Sequence, residues 1–529
     1  MAVESLNSVE ELSRYREGNS YRRLDNIKEI HRIQFMTVSR NITHGVFILS
    51  AVLFFVLNIL TVRDGHNWGD DFGQYIQHAK NIIGGQPYAS RIMVEPWVTV
   101  PPGFPLLLVP WIYFWGVNFK VLKIFNVILW QCFVLAFYPL MRKRLGEENA
   151  LLGSLALLSS PFFFLFKQNV LSDTAFIFFV TLAILALMKF EESFAKGEQR
   201  RSQFLFWGGI LLIGCSSLIR PTGVCLFMAT IVYFLRVHRD KRFFFYILFV
   251  FILSEGFNFL TGVSGINNYL GPLHMSFGMW VSTAYRHCVY VLHTIVGFYF
   301  PTKTAISVPL SSFLSFLITK TALLLVLGVF GGFLFRLWRR TISLLECFFV
   351  VYFLGIMAWT IEGGSRYFLP IAGVFLILGL EGVRAIYRLV FNDKFENIRE
   401  GIIRGILILL IAHNVLSIIV DLDFDDNEIY RKNTKEVVQW IQRNIQPEEH
   451  YMFWKPRALA ALTDRVGTPF WIYPEDKRNW PQRAKKFKID YLIIFTVDEY
   501  LLNQVTDGVI EAKEIWGNDG YKIFKVLNE

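Results

Sequence analysis

Long apolar runs separated by short polar connectors dominate the chain. They extend from about 42 to 62, 121 to 141, 149 to 166, 173 to 189, 203 to 219, 222 to 236, 243 to 262, 321 to 338, 344 to 360, 368 to 388 and 401 to 420. At 1.5 Å per residue, a run of about twenty residues crosses a hydrocarbon core of about 30 Å, so the pattern predicts about eleven transmembrane helices. When the spans alternate in direction, the basic clusters at Arg142-Lys143-Arg144, Lys196 to Arg201, Arg236 to Arg242, Arg336 to Arg340 and Arg384 to Arg399 all fall on one side. The basic segment 1–41 joins them, which predicts a cytoplasmic N-terminus. An odd number of spans then places the polar tail, 421–529, outside. The stretch 263–319 contains CVYVLHTIVGFYF and ISVPLSSFLSFLI, which read either as interfacial helices or as a further pair of spans; the parity is the same.

Composition agrees: 53% of the 529 residues are hydrophobic and 18% charged, against roughly a quarter charged in soluble proteins. The net charge of +10 resides in connectors, as topology signals do, and does not indicate nucleic acid. Segment 1–41 is too long and too charged for a cleaved signal peptide and is expected to precede an uncleaved anchor. Cys132, Cys215, Cys225, Cys288 and Cys347 show no C-x-x-C spacing, so neither a disulfide framework nor a zinc site is indicated. The expected architecture is a polytopic α-helical membrane protein. It has a transmembrane domain over 42–420, a first outer loop over 63–120 and a small extracytoplasmic α/β domain over 421–529. In that tail NEIYRKNTKEVVQWIQRN has helical spacing, while HYMFW, IDYLIIF and YKIFKVL read as strands.

The first outer loop carries the most chemistry. Phe72, Tyr75, Ile76, Ala79, Ile82 and Ile83 fall on one helical face, ended by Gly84-Gly85 and Pro87, and predict a helix lying flat on the outer membrane surface. Asp70 and Asp71 open it at the level of lipid head groups. A second amphipathic piece follows Pro101-Pro102-Gly103, with aromatics at Trp111, Tyr113, Phe114 and Trp115. Asp71 with Gln74 also fits a capping box, a purely local role that weighs about evenly against chemistry. Capping needs one carboxylate, however, and Asp70 has no evident structural partner.

The order of these parts resembles the GT-C class of membrane glycosyltransferases: DD opening a Q-Y-x-x-H-A-K-N helix, then PPGFPLLLVP, then LSDTAF, LIRPTG and GGSRYFLP at outer ends of later spans. Within it the chain is most similar to the branch of protein O-mannosyltransferases, lipid A aminoarabinose transferases and lipopolysaccharide galacturonosyltransferases, over roughly residues 42–420. In that branch an Asp stands four residues before a Tyr and about nine before a basic residue. Asp71, Tyr75 and Lys80 keep this register, so the resemblance gives Asp71 the catalytic role. Relatives often carry Glu after the Asp and Lys before the double Pro, where this chain has Phe72 and Val100, so the resemblance supplies no phosphate ligand from this loop. The oligosaccharyltransferase signature WWDYG is absent, which counts against en bloc oligosaccharide transfer.

The implied reaction is attack by an acceptor hydroxyl on the anomeric carbon of a sugar linked to polyprenyl phosphate, with inversion. It needs a base and cations for the departing phosphate. Asp71 is the candidate base, with Asp70 beside it. Arg220 and Arg366 are the phosphate candidates because they fall at outer span ends, where the positive-inside bias disfavours them and bidentate phosphate contacts explain them; the bland alternative is snorkelling, with Arg366 paired to Glu362. Glu95, Asp173, Tyr75 and Lys80 are secondary candidates, Asp173 more as a helix cap. His274, His287 and His293 lack metal-ligand spacing. No metal is required, although two adjacent acids can hold a divalent cation against phosphate.

A glycan transporter or flippase would place charges along mid-span and repeat its two halves; Glu255, Glu346 and Glu381 do not make such a set. An O-antigen ligase or polymerase lacks an acid pair opening a helix after the first span. The sole sequon, Asn41-Ile42-Thr43, falls on the predicted inner side, which fits a bacterial envelope. The expected partners are a polyprenyl-phosphate sugar, membrane lipids and a glycolipid, polysaccharide or protein acceptor.

Overall fold

The computed structural model describes residues 42–69, 71–94, 100–237, 241–261, 312–357, 365–391, 395–420, 427–471 and 478–527, with a few positions between 278 and 286. Asp70, Glu95, Glu362, the three loop histidines and the 263–311 alternatives lie outside them.

Helices stand at every predicted span: α1 (Ile42–Leu60), α4 (Phe119–Leu145), α5 (Glu147–Leu158) with α6 (Pro161–Phe166), α7 (Asp173–Ala195), α8 (Gln199–Ile219), α9 (Val224–Val237), α10 (Lys241–Leu260), α11 (Ser312–Trp338), α12 (Leu344–Met357), α13 (Leu369–Phe391) and α14 (Glu396–Val420). Among the described residues nine helices, with α5 and α6 taken together, are long and apolar enough to cross a membrane, while α9 and α12 are shorter. The α5–α6 break falls at Ser159-Ser160-Pro161, where proline has no N–H to donate and the Ser160 hydroxyl accepts from Phe163 N. Gly382 of α13 sits directly on α11: an added Cβ would stand 1.7 Å from the Gly328 carbonyl oxygen. Only glycine permits this backbone contact.

Alternate helix ends share a face. On the face away from residue 71, the Arg144 guanidinium reaches Glu346 at 2.5 Å and Glu381 at 2.7 Å, and Arg336 meets Glu381 at 2.9 Å. Arg384 pairs with Glu400 at 2.8 Å. The basic clusters that the sequence places together thus also knit α4, α11, α12, α13 and α14 through fully paired charges, as buried carboxylates require.

The tail folds as expected into a small mixed domain, with the helix α15 (Lys432–Asn444) and strands β1 (Tyr451–Met452), β3 (Tyr491–Phe495) and β5 (Tyr521–Val526) inside the predicted segments. The sequence did not signal β2 (Gly467–Thr468), β4 (Ala512–Gly517) or the helices α16 (Pro456–Thr463), α17 (Trp480–Lys486) and α18 (Glu499–Thr506). The sheet order is β2-β1-β3-β5-β4, parallel through β2, β1 and β3 and antiparallel thereafter. Strand alternation divides its side chains. Met452, Leu492, Ile494 and Phe524 pack with Trp480 and Leu501 in the domain's own core, while Tyr451, Phe453, Ile493 and Tyr521 join the core that continues into the membrane helices. Trp68 of the loop is wedged there against Phe453 and Phe495, its indole N–H donating to the Tyr521 hydroxyl at 3.2 Å.

Candidate active site

The loop helix α2 (Asp71–Ile83) begins at Asp71 and carries its apolar residues as predicted, but it does not lie on the surface with a wet face. Gln74, Gln77, His78 and Asn81 are as buried as Phe72, Ile76 and Ala79. The apolar side rests on α3 (Gly103–Trp115), with Tyr75 edge-on to Phe104, and the polar side is covered by α16 and by residues 84–94. Gly73 makes the α16 contact: an added Cβ would stand 2.3 Å from the Arg457 carbonyl oxygen.

The N-terminal end of α2 is the centre of a charge cluster. Asp71 Oδ2 is 2.7 Å from Arg366 Nη2, and Asp71 Oδ1 is 3.5 Å from Arg457 Nη2. Both Asp71 and Arg366 retain more than a quarter of their side-chain surface, 29% and 28%, so they are reachable. Behind them Arg220 and Asp173 form an ion pair that is almost fully enclosed. The Tyr367 ring lies between the two arginines, 5.3 Å from the Arg220 guanidinium carbon and 5.2 Å from that of Arg366, within cation–π reach. Tyr75 and Ser172 share a hydrogen bond of 2.9 Å.

Electrostatics follow from these distances. Burial pushes the Asp71 carboxyl up, but the Arg366 guanidinium, then Arg457 and Arg220, outweigh it and hold the group at about 2. Tyr75 is pushed far above its usual range by burial and then by the Asp71 charge, so its hydroxyl stays protonated. Burial lowers His66 to about 3 and His78 to about 4, leaving both neutral.

Of the residues singled out from the sequence, Asp71, Tyr75, Asp173, Arg220 and Arg366 are brought together. Arg366 is 2.7 Å from Asp71. Asp173 is not the N-cap of α7; that position belongs to Ser172, and the Asp173 carboxylate turns to Arg220 with its second oxygen buried and without a hydrogen-bond partner. Lys80, about 13 Å further along α2 by helical rise, pairs with Asp464 of the tail domain. Gln74 Oε1 accepts from Arg457 Nη1 at 2.7 Å. Arg457 is the residue the sequence did not reveal: it sits among soluble-domain charges with no periodic or positional signal. Among the described residues no three His, Cys, Asp or Glu side chains gather as a metal site.

An acid-opened loop helix held against the ends of later spans, with a small α/β domain docked on it, is an integral membrane protein of the GT-C fold. Residues 99–254 match the family described as dolichyl-phosphate-mannose-protein mannosyltransferase. Among solved structures the chain is similar to ArnT from Cupriavidus metallidurans in the apo state, at 12% identity and a TM-score of 0.55, over 91% of this chain and 98% of that one. The same enzyme bound to undecaprenyl phosphate matches at 11% and 0.55, over 91% and 97%. The Archaeoglobus fulgidus oligosaccharyltransferase in complex with Zn and sulfate matches at 13% and 0.55, over 85% and 68%. No curated protein sequence matches the chain.

Proposed function

We propose that this protein is an inverting glycosyltransferase that moves a single sugar from a polyprenyl-phosphate donor to a glycolipid, polysaccharide or protein acceptor at the extracytoplasmic face of the cell membrane. The observation that carries the reading is Asp71, a reachable, ionised carboxylate set among Arg220, Arg366 and Arg457 where the loop helix meets the span ends. The acceptor hydroxyl attacks the anomeric carbon and gives its proton to Asp71. The bond from that carbon to the phosphate oxygen breaks, and its electron pair leaves with polyprenyl phosphate. Arg366, backed by Arg220, meets the phosphate charge. The undecaprenyl phosphate held by the similar ArnT supports a lipid-phosphate donor. The match to a dolichyl-phosphate-mannose family supports a monophosphate-linked sugar. Either an undecaprenyl or a dolichyl chain fits this chemistry.

The reading is tested with full-length protein in nanodiscs, given radiolabelled polyprenyl-phosphate sugars and envelope extracts, alongside mass spectrometry of envelope glycans from cells with and without the protein. A sugar missing from one envelope component, and restored by the wild-type chain but not by Asp71→Asn, is the expected result. Unchanged glycans together with no transfer from any such donor would sink the reading.

A further inference from the structure

Asp71 is met from two directions by two different parts of the chain. Arg366 stands at the start of a membrane helix and takes Oδ2; Arg457 comes from the tail domain and takes Oδ1. Arg457 is itself fixed. Its Nη1 donates to Gln74 Oε1 at 2.7 Å and its backbone is seated in the notch left by Gly73; the Lys80–Asp464 pair joins α2 to the tail at the far end of the contact and does not touch Arg457. The tail is held to the loop elsewhere as well, through Ile429 N to the His66 carbonyl at 3.0 Å, Trp68 N to Glu428 at 2.7 Å and Val94 N to the Gly467 carbonyl at 3.1 Å.

We propose that Arg457 is a positioning residue for the candidate base: the tail domain supplies it to hold Oδ1 of Asp71, so that Oδ2 keeps its aim when Arg366 turns to phosphate. The inference rests on the function proposed above. Two guanidiniums on one carboxylate are redundant in a resting enzyme, but not in one where the first is also the phosphate ligand. Arg220 cannot substitute, because Asp173 occupies it. Among the described residues the other groups facing Asp71 are Tyr75, one turn along its own helix, whose hydroxyl engages Ser172, and Asp173 behind Arg220. Neither offers a positive charge. A loop helix without the docked tail would therefore carry a base with no fixed direction once donor entered.

Carbodiimide labels protonated carboxyls, so labelling of Asp71 in the full-length protein between pH 4 and 7, read by mass spectrometry, reports the hold without any turnover. Removing a nearby positive charge raises a carboxylate pKa by about one unit or more, which raises the protonated fraction about tenfold per unit. Arg457→Gln is expected to raise Asp71 labelling about tenfold at pH 5, and Arg457→Lys to stay near wild type. Asp464→Asn, which breaks the neighbouring contact between the same two helices, is the control and should change nothing. With undecaprenyl phosphate added, labelling should rise further in Arg457→Gln than in wild type. In transfer assays Arg457→Gln lowers kcat and leaves the donor KM, whereas Arg366→Ala raises that KM. Wild-type labelling in a folded Arg457→Gln, or an equal rise in Asp464→Asn, would overturn the assignment. If undecaprenyl phosphate leaves wild-type labelling unchanged while Arg457→Gln raises it, the donor reading fails and the hold of Arg457 on Asp71 stands.

Discussion

The Asp71 carboxylate and the Arg366 guanidinium, which begin two helices far apart in sequence, lie 2.7 Å from each other, and each leaves more than a quarter of its surface open. A reachable ion pair of this kind can exchange partners with an incoming phosphate at modest cost. An enclosed pair such as Arg220 with Asp173 cannot.

Asp71→Asn keeps the side-chain shape but cannot take a proton from a hydroxyl. Transfer should fall about a hundred- to ten-thousandfold with normal membrane insertion. Because the folded carboxyl lies at about 2, below the unfolded value of about 3.9, its contribution to stability is complete above about pH 4. It is lost as the pH falls toward 2. The gap in thermal unfolding between wild type and Asp71→Asn should be constant from pH 5 to 8 and close only under strong acid.

Arg366→Ala and Arg220→Ala should separate. Arg366→Ala loses a charge-assisted contact worth roughly 1.5 to 3 kcal/mol, or about ten- to a hundredfold in transfer, with little change in melting temperature. Arg220→Ala leaves the buried Asp173 charge alone, costing about 3 to 5 kcal/mol of stability, and Asp173→Asn in the same chain should restore part of it. Thermal unfolding monitored by size-exclusion fluorescence would distinguish them; equal melting temperatures would contradict the enclosure of the Arg220 pair.

Gly73→Ala is a substitution of one methyl that should disrupt the site of the proposed transfer. The added Cβ meets backbone 2.3 Å away and cannot be relieved by a side-chain rotation, so α16 must withdraw at a cost of about 1 to 3 kcal/mol or more. Limited proteolysis should detach the tail domain faster, and transfer should drop. Unaltered protease resistance would show that the domain does not depend on this notch.

On the opposite face, Arg144→Ala strips the fully enclosed Glu346 and its neighbour Glu381 of a shared cation. A loss of about 3 to 5 kcal/mol is expected, seen as low yield and a lowered melting temperature. Donor KM should be unchanged in whatever protein survives. A shift in KM would mean that the two faces are coupled.

Cysteine labels at Gly85 and at the exposed Thr506 should react from outside the cell and one at Gly197 from the cytoplasm, following the positive-inside bias. Labelling of Thr506 from the cytoplasm would reverse the proposed orientation of the tail and of the site.

The membrane helices were legible because a bilayer imposes one rule on any segment that crosses it: twenty or so apolar residues with every backbone group paired within the helix. For the same reason Arg220 and Arg366 stood out, as charges where the topology disfavours them, and Asp71 stood out as an acid opening an amphipathic helix. Neither local pattern nor composition could reveal that the polar side of that helix is buried too. Gln74, Gln77, His78 and Asn81 read as a wet face, and only the docked tail together with residues 84–94 of the loop covers them. Asp173 read as a cap because capping is local, while its pairing with Arg220 depends on how α7 and α8 pack. The short strands β2 and β4 carry too few residues, or too polar a pattern, to announce themselves; the sheet recruits them through hydrogen bonds to their neighbours. Arg457 is the clearest case. Nothing around it in sequence distinguishes it from other surface charges, and its place beside Asp71 is decided by a glycine nearly four hundred residues earlier that lets two backbones touch.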